Sequence, residues 1–528
     1  MKFIARFLYV PLAGLLVLTS CAKDETESYD KFENQALEAW MTQHRSDLVE
    51  NLQSEGLYYV DLLDAGDLAS DPINTEDIWV SFDFSGRDLS GNIILTRNAD
   101  DAVLAGSFSK YTHYVPFYRY CGSENSGLME GTWLAMRRTL TLGDTYFRNN
   151  KDRLGITSPE VTLRYGSKIR LYMPSSVVGN GVEGTGGYEG QEGYSLSSKR
   201  PFIVTMEIRD TVSNPLEREG TDVDDFCELN GGLQIYSKGD DDTPATEVPE
   251  DPEDPEHPYN ETSKRWVSAC DSIPQVYVNV RYNPAEPRDQ LSFPAPYHVG
   301  YEPYVSEASV RDIDMQIAEA LKKRFHGEGD DYEAYKGVAD LDADSVGMEG
   351  TAKIWYIGRF LDGFIFDTNI DEVKQIIYGE VRKTGSAHSY DVQNPDLITA
   401  FYYIVPHLKY GQWATLVTTS TNAYGTTGKS GGSSTSTSSN GYTSSYYDYL
   451  NYLNYSQMYY GNNGYYGGYY NDYYGYGGLG NYGYYGGYYG GYGGNYDSGE
   501  TTTTTKVYTD IPSFSPLIFQ IYIEPDGK

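Results

Sequence analysis

The strongest local pattern in this chain is a β-hairpin at residues 356–367. Two short apolar stretches flank Asp362 and Gly363, residue types that favour a tight turn, and the second stretch ends on Phe366 and Asp367. Apolar or alternating stretches of strand length predict further strands elsewhere in the chain. These lie at residues 56–60, 78–84, 168–174, 200–208 and 276–280, the last without an assignable partner.

Apolar residues at helical spacing predict two amphipathic helices. The first covers residues 31–51, where Trp40 and Met41 belong to the apolar face. The second covers residues 308–324 and has Ser306 as its N-cap. Each helix precedes a predicted hairpin by a similar distance, which points to an internal repeat.

The spacing of glycines supports this repeat. Gly86 and Gly91 stand five positions apart, as do Gly358 and Gly363, and an arginine follows the first glycine of each pair. Because each pair belongs to a predicted hairpin behind a predicted helix, we interpret the chain as two copies of one unit. In this interpretation the later helix is the second copy of the earlier one.

Two stretches of biased composition interrupt the repeat. Residues 238–261 are acidic and rich in proline, which favours an extended, solvated linker; a calcium-binding role for these carboxylates is the alternative. Residues 426–506 consist mostly of Tyr, Gly, Ser and Thr, in a chain that has 53 tyrosines and 56 glycines. No periodicity there gathers apolar side chains on one face, so we expect no conventional core. The dense aromatic rings instead suit an adaptable binding surface.

The length of 528 residues exceeds that of one ordinary domain, so at least two hydrophobic cores are expected. The composition changes described above set the predicted boundaries. We expect a signal peptide at residues 1–20, an anchor segment and helix at 21–55, a first domain at 56–212, a linker region at 213–299, and a second domain at 300–528 with its insert at 426–506.

The formal net charge of −35 argues against one class of function. So acidic a surface repels the phosphate backbone, and no nucleic-acid partner is expected. The four cysteines match no zinc-ligand spacing, and we predict neither a metal nor a cofactor. If Cys21 is modified as described below, at most one disulfide can form among Cys121, Cys227 and Cys270, and the sequence does not choose its partners.

The N-terminus carries a targeting signal. Lys2 and Arg6 precede an apolar run at residues 7–18 that is too short to span a bilayer. The run leads to Ser20 and Cys21 in a segment that resembles a bacterial lipobox. This resemblance implies a lipid on Cys21 and an outer-membrane lipoprotein, and the acidic residues that follow resemble those of surface-exposed lipoproteins of the Bacteroidota. An ordinary secretory signal and a periplasm-facing anchor are the alternatives.

The second copy contains a set of residues in a characteristic order. Ile398, Phe401, Gly411 and Tyr424 follow the hairpin, and Phe519 lies near the C-terminus. Together with the hairpin, this set resembles the FKBP-type peptidyl-prolyl cis–trans isomerases. The resemblance implies an α+β fold of two FKBP-like units, each an antiparallel, half-wrapped β-sheet packed on a short helix and preceded by an N-terminal helix.

The resemblance also implies a role for each residue of the second copy. Ile398 would donate its backbone N–H and Tyr424 its hydroxyl to the substrate carbonyls, while Asp367 would lie against the rotating carbonyl. Four aromatic residues would line a proline pocket, namely Phe401 as the floor and Tyr356, Phe366 and Phe519 as the walls. The insert occupies the flap beside this pocket, where some bacterial members of the family carry a chaperone segment.

The first copy lacks most of these residues. Ile94 and Leu95 stand in place of Phe and Asp, Val178 in place of the flap tyrosine and Val204 in place of the last wall residue, while Trp133 remains as a floor. We therefore expect a degenerate first domain that serves packing or partner contact.

Two functions are compatible with these patterns. The first is a lipid-anchored peptidyl-prolyl isomerase with chaperone activity on exported proteins, whose partners are proline-containing polypeptides and the membrane. The second is a non-catalytic surface lipoprotein, in which the FKBP-like domains are a scaffold and the Tyr/Gly-rich insert mediates adhesion or assembly of a surface complex.

Overall fold

A computed structural model shows two α+β units, the fold class that the sequence predicts. In each unit a mainly antiparallel β-sheet packs on helices. The structure describes residues 29–125, 128–178, 201–230, 233–234, 266–268, 275–280, 282, 284–285, 294–299, 301, 303–326, 343–381, 384–429, 433–436, 504–507 and 509–525.

The described α-helices are distributed over both units. They are α1 (Tyr29–His44), α2 (Ala99–Ala105), α3 (Glu130–Arg137), α4 (Asp144–Leu154), α5 (Pro215–Leu229), α6 (Glu307–His326), α7 (Asp371–Tyr378) and α8 (Thr399–Ile404). Short 3-10 turns occur at Ser46–Asn51, Ser175–Val177, Val405–His407 and Ser420–Asn422. None of the described helices combines the length and apolar character that a bilayer crossing requires.

The strands of the first unit are β1 (Leu52–Gln53), β2 (Tyr58–Ala65), β3 (Ile78–Asp88), β4 (Ile93–Thr96), β5 (Phe117–Cys121), β6 (Leu140–Thr141), β7 (Glu160–Val161), β8 (Ser167–Met173) and β9 (Phe202–Val212). Those that follow are β10 (Leu233–Gln234), β11 (Trp266–Ser268), β12 (Val276–Asn279), β13 (Thr351–Phe360), β14 (Ile365–Thr368), β15 (His388–Asp391), β16 (Trp413–Thr418), β17 (Ser433–Ser436), β18 (Thr504–Val507) and β19 (Leu517–Ile523).

The two main sheets share the order of five strands. Within the described residues the first sheet runs β1-β2-β8-β9-β3-β4, and β5 also pairs with β3. The second runs β10-β11-β12-β16-β19-β13-β14, and β15 also pairs with β13. Strands β2, β8, β9, β3 and β4 therefore correspond to β12, β16, β19, β13 and β14.

The register of the two hairpins confirms the repeat at the level of single residues. Gly86 lies opposite Leu95, and Gly358 lies opposite Asp367. In each hairpin the register then shifts between this glycine and the arginine that follows it, which is a β-bulge. The shared bulge makes Leu95 the counterpart of Asp367, as the sequence predicts.

The N-terminal helix of the second unit is α5 rather than α6, which corrects the repeat inferred from the sequence. In α1, the buried Glu33 accepts hydrogen bonds from the backbone N–H and the hydroxyl of Ser175, at 2.7 and 2.6 Å. In α5, the buried Glu219 accepts the same two hydrogen bonds from Ser420. The distance from helix to hairpin was misleading because a long insertion separates β12 from β13.

The second unit accordingly begins before residue 300, where the sequence analysis placed its start. Strand β12, which had no assignable partner, pairs antiparallel with β16. Phe226 of α5 belongs to the same buried apolar cluster as Val417 of β16. The stretch expected to be a linker thus contributes a helix and strands, while its acidic, proline-rich part at 238–261 lies outside the described residues.

Helix α6 forms where the sequence predicts a helix and belongs to the insertion between β12 and β13. The hydroxyl oxygen of Ser306 accepts the backbone N–H of Ser309 at 3.3 Å, so Ser306 caps the helix as predicted. Ile317 packs in an apolar cluster with side chains of the second sheet. Asp314 forms a buried ion pair with Arg359, the arginine of the bulge, at 2.6 Å.

The structure describes the base of the insert expected at 426–506. Lys429 and Ile511 form a two-way β-bridge, in which each backbone N–H donates to the other carbonyl, at 2.8 and 2.9 Å. Strands β17 and β18 pair antiparallel beyond this bridge. Residues 437–503 of the insert, and residues 1–28 with Cys21, lie outside the described residues.

The two described cysteines are free thiols. Cys121 and Cys227 are both buried and form no disulfide. Burial raises the pKa of Cys121 to about 12 and the pKa of Cys227 well above its ordinary value. Neither thiol is therefore ionised near neutral pH. Cys270 lies outside the described residues.

Candidate functional site

Three buried phenylalanine rings meet between the second sheet and helix α8. Phe366 of β14, Phe401 of α8 and Phe519 of β19 are 5, 2 and 3% exposed. The centroid of Phe519 lies 5.7 Å from that of Phe366 and 5.3 Å from that of Phe401, and both pairs are edge to face. This geometry is favourable for aromatic rings and gives a well-defined, buried apolar cluster.

The position of the Phe366 ring depends on Gly358. A Cβ atom at residue 358 would lie 2.6 Å from Cζ of Phe366, closer than real Cβ contacts. The ring therefore lies directly against the backbone of β13. Only glycine leaves this space, which explains why the first glycine of the repeat is needed here.

Tyr356 and Asp367 are joined by a hydrogen bond beside these rings. The Tyr356 hydroxyl donates to Oδ2 of Asp367 at 2.8 Å. Burial raises the pKa of Tyr356, and the negative charge of Asp367 raises it further, so the hydroxyl stays protonated. The bond fixes the orientation of the carboxylate.

The Tyr424 side chain lies near both Phe366 and Asp367. Its ring is edge to face with Phe366 at a centroid distance of 6.4 Å, and the Lys429 ammonium lies 5.0 Å from its centroid. Burial raises the pKa of Tyr424 to about 12, and the charge of Asp367 acts in the same direction. Among the described residues its hydroxyl has no hydrogen-bond partner, so it is a protonated donor available to a ligand.

Ile398 contributes a backbone group rather than a side chain. It is the N-cap of α8, with φ −59° and ψ 151°, and no side chain caps the helix. Its carbonyl accepts the N–H of Phe401 at 3.0 Å, while its own N–H has no partner within the described part of the chain. Unpaired N–H groups at a helix start are suitable for binding a carbonyl oxygen.

The structure therefore brings all the residues selected in the second copy into one region. The apolar cluster includes Phe366, Phe401 and Phe519, with Tyr356, Ile398 and Tyr424 packed against it. Asp367 joins it through Tyr356. The arrangement places two hydrogen-bond donors and one oriented carboxylate beside a buried apolar cluster.

The corresponding region of the first unit is filled differently. A Cβ atom at Gly86 would lie 2.3 Å from Cζ of Phe202, so the Phe202 ring of β9 covers the glycine that corresponds to Gly358. Val204 is fully buried opposite Gly86, and Ile94 is half-buried. A ring from another strand thus compensates for the aromatic residue that Ile94 replaces, and the residue opposite Gly86 on β4 is Leu95, which has no carboxylate.

Trp133 of helix α3, expected as the floor of the first unit, is buried in the apolar core of that unit. Its indole N–H donates to the carbonyl of Gly122 at 3.0 Å. Val178, expected in place of the flap tyrosine, is also buried. The role of Trp133 as a floor stays a prediction.

Two groups of residues were not predicted from the sequence, namely those that join α5 to the second sheet and those that join the two units. The first group had a detectable signal, because a glutamate and two apolar residues recur at identical spacing. They are Glu33, Leu37 and Trp40 in α1 and Glu219, Val223 and Phe226 in α5. The second group, centred on His113 and Asp362, had no local signal, since its partners lie far apart in sequence.

Within the described residues, no group of three or more His, Cys, Asp or Glu side chains is arranged to hold a metal ion. The polar groups of the site listed above are a carboxylate, a phenol and a peptide N–H. They are suited to binding an amide through hydrogen bonds.

The chain is similar to solved structures of FKBP-type proteins at low sequence identity. No protein-family model matches the chain, and no curated protein matches it. Similar solved structures include the three FKBP domains of wheat FKBP73, with 9% identity over 89% of this chain and 95% of that chain and a TM-score of 0.20. FkpA from Escherichia coli has 10% identity over 40% of this chain and 72% of that chain, with a TM-score of 0.21. A peptidyl-prolyl cis-trans isomerase from Pseudomonas syringae pv. tomato has 15% identity over 35% of this chain and 96% of that chain, with a TM-score of 0.20. Likenesses this distant carry no inference about activity.

Proposed function

We propose that this chain is a peptidyl-prolyl cis–trans isomerase whose pocket lies in the second unit. The proposal is carried by the proximity of Asp367, Tyr424 and the Ile398 N–H to one group of edge-to-face phenylalanine rings. Such a combination suits a ligand with an apolar ring and polar carbonyl groups. Proline-containing polypeptides have this chemistry.

The chemistry requires binding rather than covalent attack. Rotation about an X–Pro bond breaks amide resonance, and the barrier is about 18–20 kcal/mol. The planar amide is more polar than the twisted one, so an apolar surface favours the twisted form. The buried rings of Phe366, Phe401 and Phe519 would form such a surface around a bound proline.

The polar groups would hold the two sides of the rotating bond. The Ile398 N–H and the Tyr424 hydroxyl would donate hydrogen bonds to substrate carbonyls. Asp367, oriented by Tyr356, would lie against the carbonyl that rotates and disfavour its planar orientation. Because Tyr424 keeps its proton up to about pH 12, its donor role would be independent of pH in the physiological range.

The proposal is tested by isomerisation of a proline-containing tetrapeptide with the full chain. Tyr424→Phe removes one donor, and we expect kcat/KM to fall about tenfold, the equivalent of one hydrogen bond of about 1.4 kcal/mol. Asp367→Asn should also lower kcat/KM. Wild-type protein with no rate above the uncatalysed one would refute the proposal.

Tyr410→Phe is a matched control for the hydroxyl deletion. The Tyr410 hydroxyl lies in the same unit but donates to the backbone carbonyl of Thr351 at 2.8 Å. The control should keep wild-type kcat/KM. Equal losses in the Tyr410 and Tyr424 variants would indicate a general effect on the fold rather than on the site.

The proposal includes a lipid anchor on Cys21 and a location at the outer membrane, facing the cell surface, with the periplasmic side as the alternative. The motivating observation is the lipobox-like segment that ends at Cys21. Metabolic labelling with a fatty-acid analogue should mark the wild type and not Cys21→Ala. Protease added to intact cells should degrade a surface-exposed form and leave a periplasmic one intact.

A non-catalytic scaffold for adhesion or surface-complex assembly is the second candidate. It is favoured by the filled region of the first unit, where Phe202 covers Gly86 and Leu95 stands at the position of Asp367. Deletion of residues 437–503 distinguishes the two functions. If the scaffold proposal is correct, the deletion variant should lose adhesion or assembly. If the enzyme proposal is correct, the variant should still isomerise small peptides. Chaperone activity on unfolded proteins would require the insert.

A further inference from the structure

His113 of the first unit is inserted into the second unit. It precedes β5, its side chain is 5% exposed, and its imidazole ring packs against two neighbouring aromatic rings of the second unit. The ring centroids of Phe360 and Phe364 lie 4.3 and 4.6 Å from that of His113, with interplanar angles of 16° and 25°. Such a position is costly for a polar ring unless it is hydrogen-bonded.

The partner of His113 is Asp362, in the turn of the hairpin that begins the site. The imidazole Nε2 and Oδ2 of Asp362 are 2.6 Å apart, and both side chains are buried. Asp362 also accepts the Tyr301 hydroxyl at 3.0 Å and the backbone N–H of Phe364 at 3.1 Å. Burial would raise the pKa of Asp362, but His113 and these hydrogen bonds outweigh burial and lower it, so the carboxyl is ionised.

The turn held by His113 is directly connected to the pocket wall. The backbone N–H of Phe360 donates to the carbonyl of Phe364 at 2.9 Å, which closes the hairpin. Phe360 also packs against the Phe366 ring at a centroid distance of 5.3 Å. A displacement of the turn would therefore move Phe366 and Asp367, which lie only a few residues beyond it.

A second contact reaches the segment that carries another wall residue. Trp79 of β3 packs edge to face on Phe514, with ring centroids 4.8 Å apart. Phe514 has a left-handed φ of 55° and lies in the loop that leads into β19 and Phe519. The first unit thus contacts the connections to two sides of the candidate pocket.

We propose that His113 is a positioning residue through which the degenerate first unit holds the Asp362 turn, and with it the Phe366 wall, in the geometry that isomerisation requires. This inference rests on the proposed function. It accounts for a first unit that lacks the carboxylate of the site and yet packs on the hairpin that supplies it.

The structure suggests a direct test by chemical rescue. A cavity of about 130 Å³ lies between the units, and His113, Tyr301, Asp362 and Phe514 are among its lining residues. His113→Ala would add the space of an imidazole to this cavity. Added imidazole can then pack against the two phenylalanines and donate to Asp362, whereas pyridine has a similar ring but no N–H at neutral pH.

The experiment uses the full chain and measures kcat, KM and the hydrogen exchange of amides in residues 356–368. We expect His113→Ala to lower kcat about tenfold with little change in KM, and to speed exchange in this hairpin more than in the rest of the second sheet. Imidazole should restore both kcat and slow hydrogen exchange in the hairpin, and pyridine should restore neither. If His113→Ala fails to fold, His113→Phe keeps a stacked ring without the donor and should show the same direction of change.

Tyr111→Leu is the matched control, because Tyr111 of the first unit stacks on Tyr378 of the second at the same 4.3 Å. It should leave kcat and hairpin exchange near wild type. Unchanged hairpin exchange in the His113 variants, or equal effects of the Tyr111 and His113 variants, would overturn the proposal. A wild type without isomerase activity would instead refute the proposed function, and the exchange and imidazole measurements would still decide whether His113 holds the turn.

Discussion

Glu219 and Ser420 are joined by two hydrogen bonds, one from the serine hydroxyl to Oε2 at 2.7 Å and one from the serine N–H to Oε1. Glu219 lies on α5, and Ser420 begins the 3-10 turn that follows β16. The contact therefore connects the N-terminal helix of the second unit to the segment that leads to Tyr424. The charge state of the Glu219 carboxyl should therefore affect the stability of the second unit.

The first prediction concerns the pH dependence of stability. Burial raises the pKa of Glu219 from 4.5 to about 7, and the Ser420 hydrogen bonds oppose this shift only in part. Between these pH values the folded chain keeps a proton that the unfolded chain has lost, so the free energy of unfolding should fall as pH rises from 4.5 to about 7. The ionisation of Glu219 should lower the free energy of unfolding by about 3 kcal/mol over this pH range. Glutamine resembles the protonated acid at all pH values. Glu219→Gln should therefore remove this pH dependence of stability, as measured by urea denaturation at pH 5 and pH 8.

Asp222→Asn is the companion variant for this measurement. Burial raises the pKa of Asp222 to about 6, with Arg218 opposing the shift. The ionisation of Asp222 should therefore also lower the free energy of unfolding, over a lower pH range. Asp222→Asn should reduce the pH dependence of this free energy less than Glu219→Gln does. Identical slopes in wild type and Glu219→Gln would contradict the assignment.

The second prediction compares the equivalent glycines of the two units. Gly358→Ala forces Phe366 to move, and Gly86→Ala forces Phe202 to move, because each new Cβ would lie under 3.0 Å from a ring atom. Both variants should lose about 1–3 kcal/mol of stability, as overpacked sites do. Peptide isomerisation by the full chain should fall about tenfold only in Gly358→Ala, since only there does a wall of the proposed pocket move. Equal activities in the two variants would contradict the assignment of Phe366 to the site.

The third prediction compares the two bulge arginines. Arg359 pairs with Asp314 at 2.6 Å with side-chain exposures of 6 and 3%, whereas Arg87 pairs with Asp101 at 2.8 Å with exposures of 37 and 20%. Arg359→Ala leaves a buried carboxylate without its partner and should cost about 3–5 kcal/mol. Arg87→Ala should cost about 1 kcal/mol or less, because water screens the pair. Thermal or urea unfolding measures the stability of both variants. Similar losses of stability would show that burial does not determine how much each ion pair contributes.

The fourth prediction concerns thiol reactivity. Cys121 and Cys227 are buried, with pKa values raised by burial. Iodoacetamide at pH 8 should therefore leave both unmodified in the folded protein and modify both after denaturation. Peptide mass spectrometry distinguishes the two sites. Rapid labelling of the Cys227 peptide under native conditions would show that α5 leaves the sheet readily.

Local sequence patterns were sufficient where the interactions are local. The hairpin at residues 356–367 and the cap at Ser306 follow from turn and helix-start chemistry, and both occur as predicted. The glycine spacing identified the repeat because Gly86 and Gly358 each meet an aromatic ring that permits no Cβ.

Interactions between distant segments were not predictable in the same way. Helix α5 was missed because Glu219 finds its partner about 200 residues later, at Ser420. The filling of the first unit by Phe202 was missed because the ring comes from β9 rather than from the hairpin. His113 and Asp362 belong to different units, and nothing near either residue indicates the other.

The bridge between Lys429 and Ile511 has a consequence for how the molecule can change. Its paired hydrogen bonds hold the two ends of the insert together beside Tyr424, and the ribbon of β17 and β18 extends from it. Because the entropy of closing a loop grows only slowly with its length, sequences of very different size and composition can be exchanged beyond this ribbon at little cost to the unit beneath. The chain thus has a natural graft point, at which evolution or an engineer can replace one recognition segment with another.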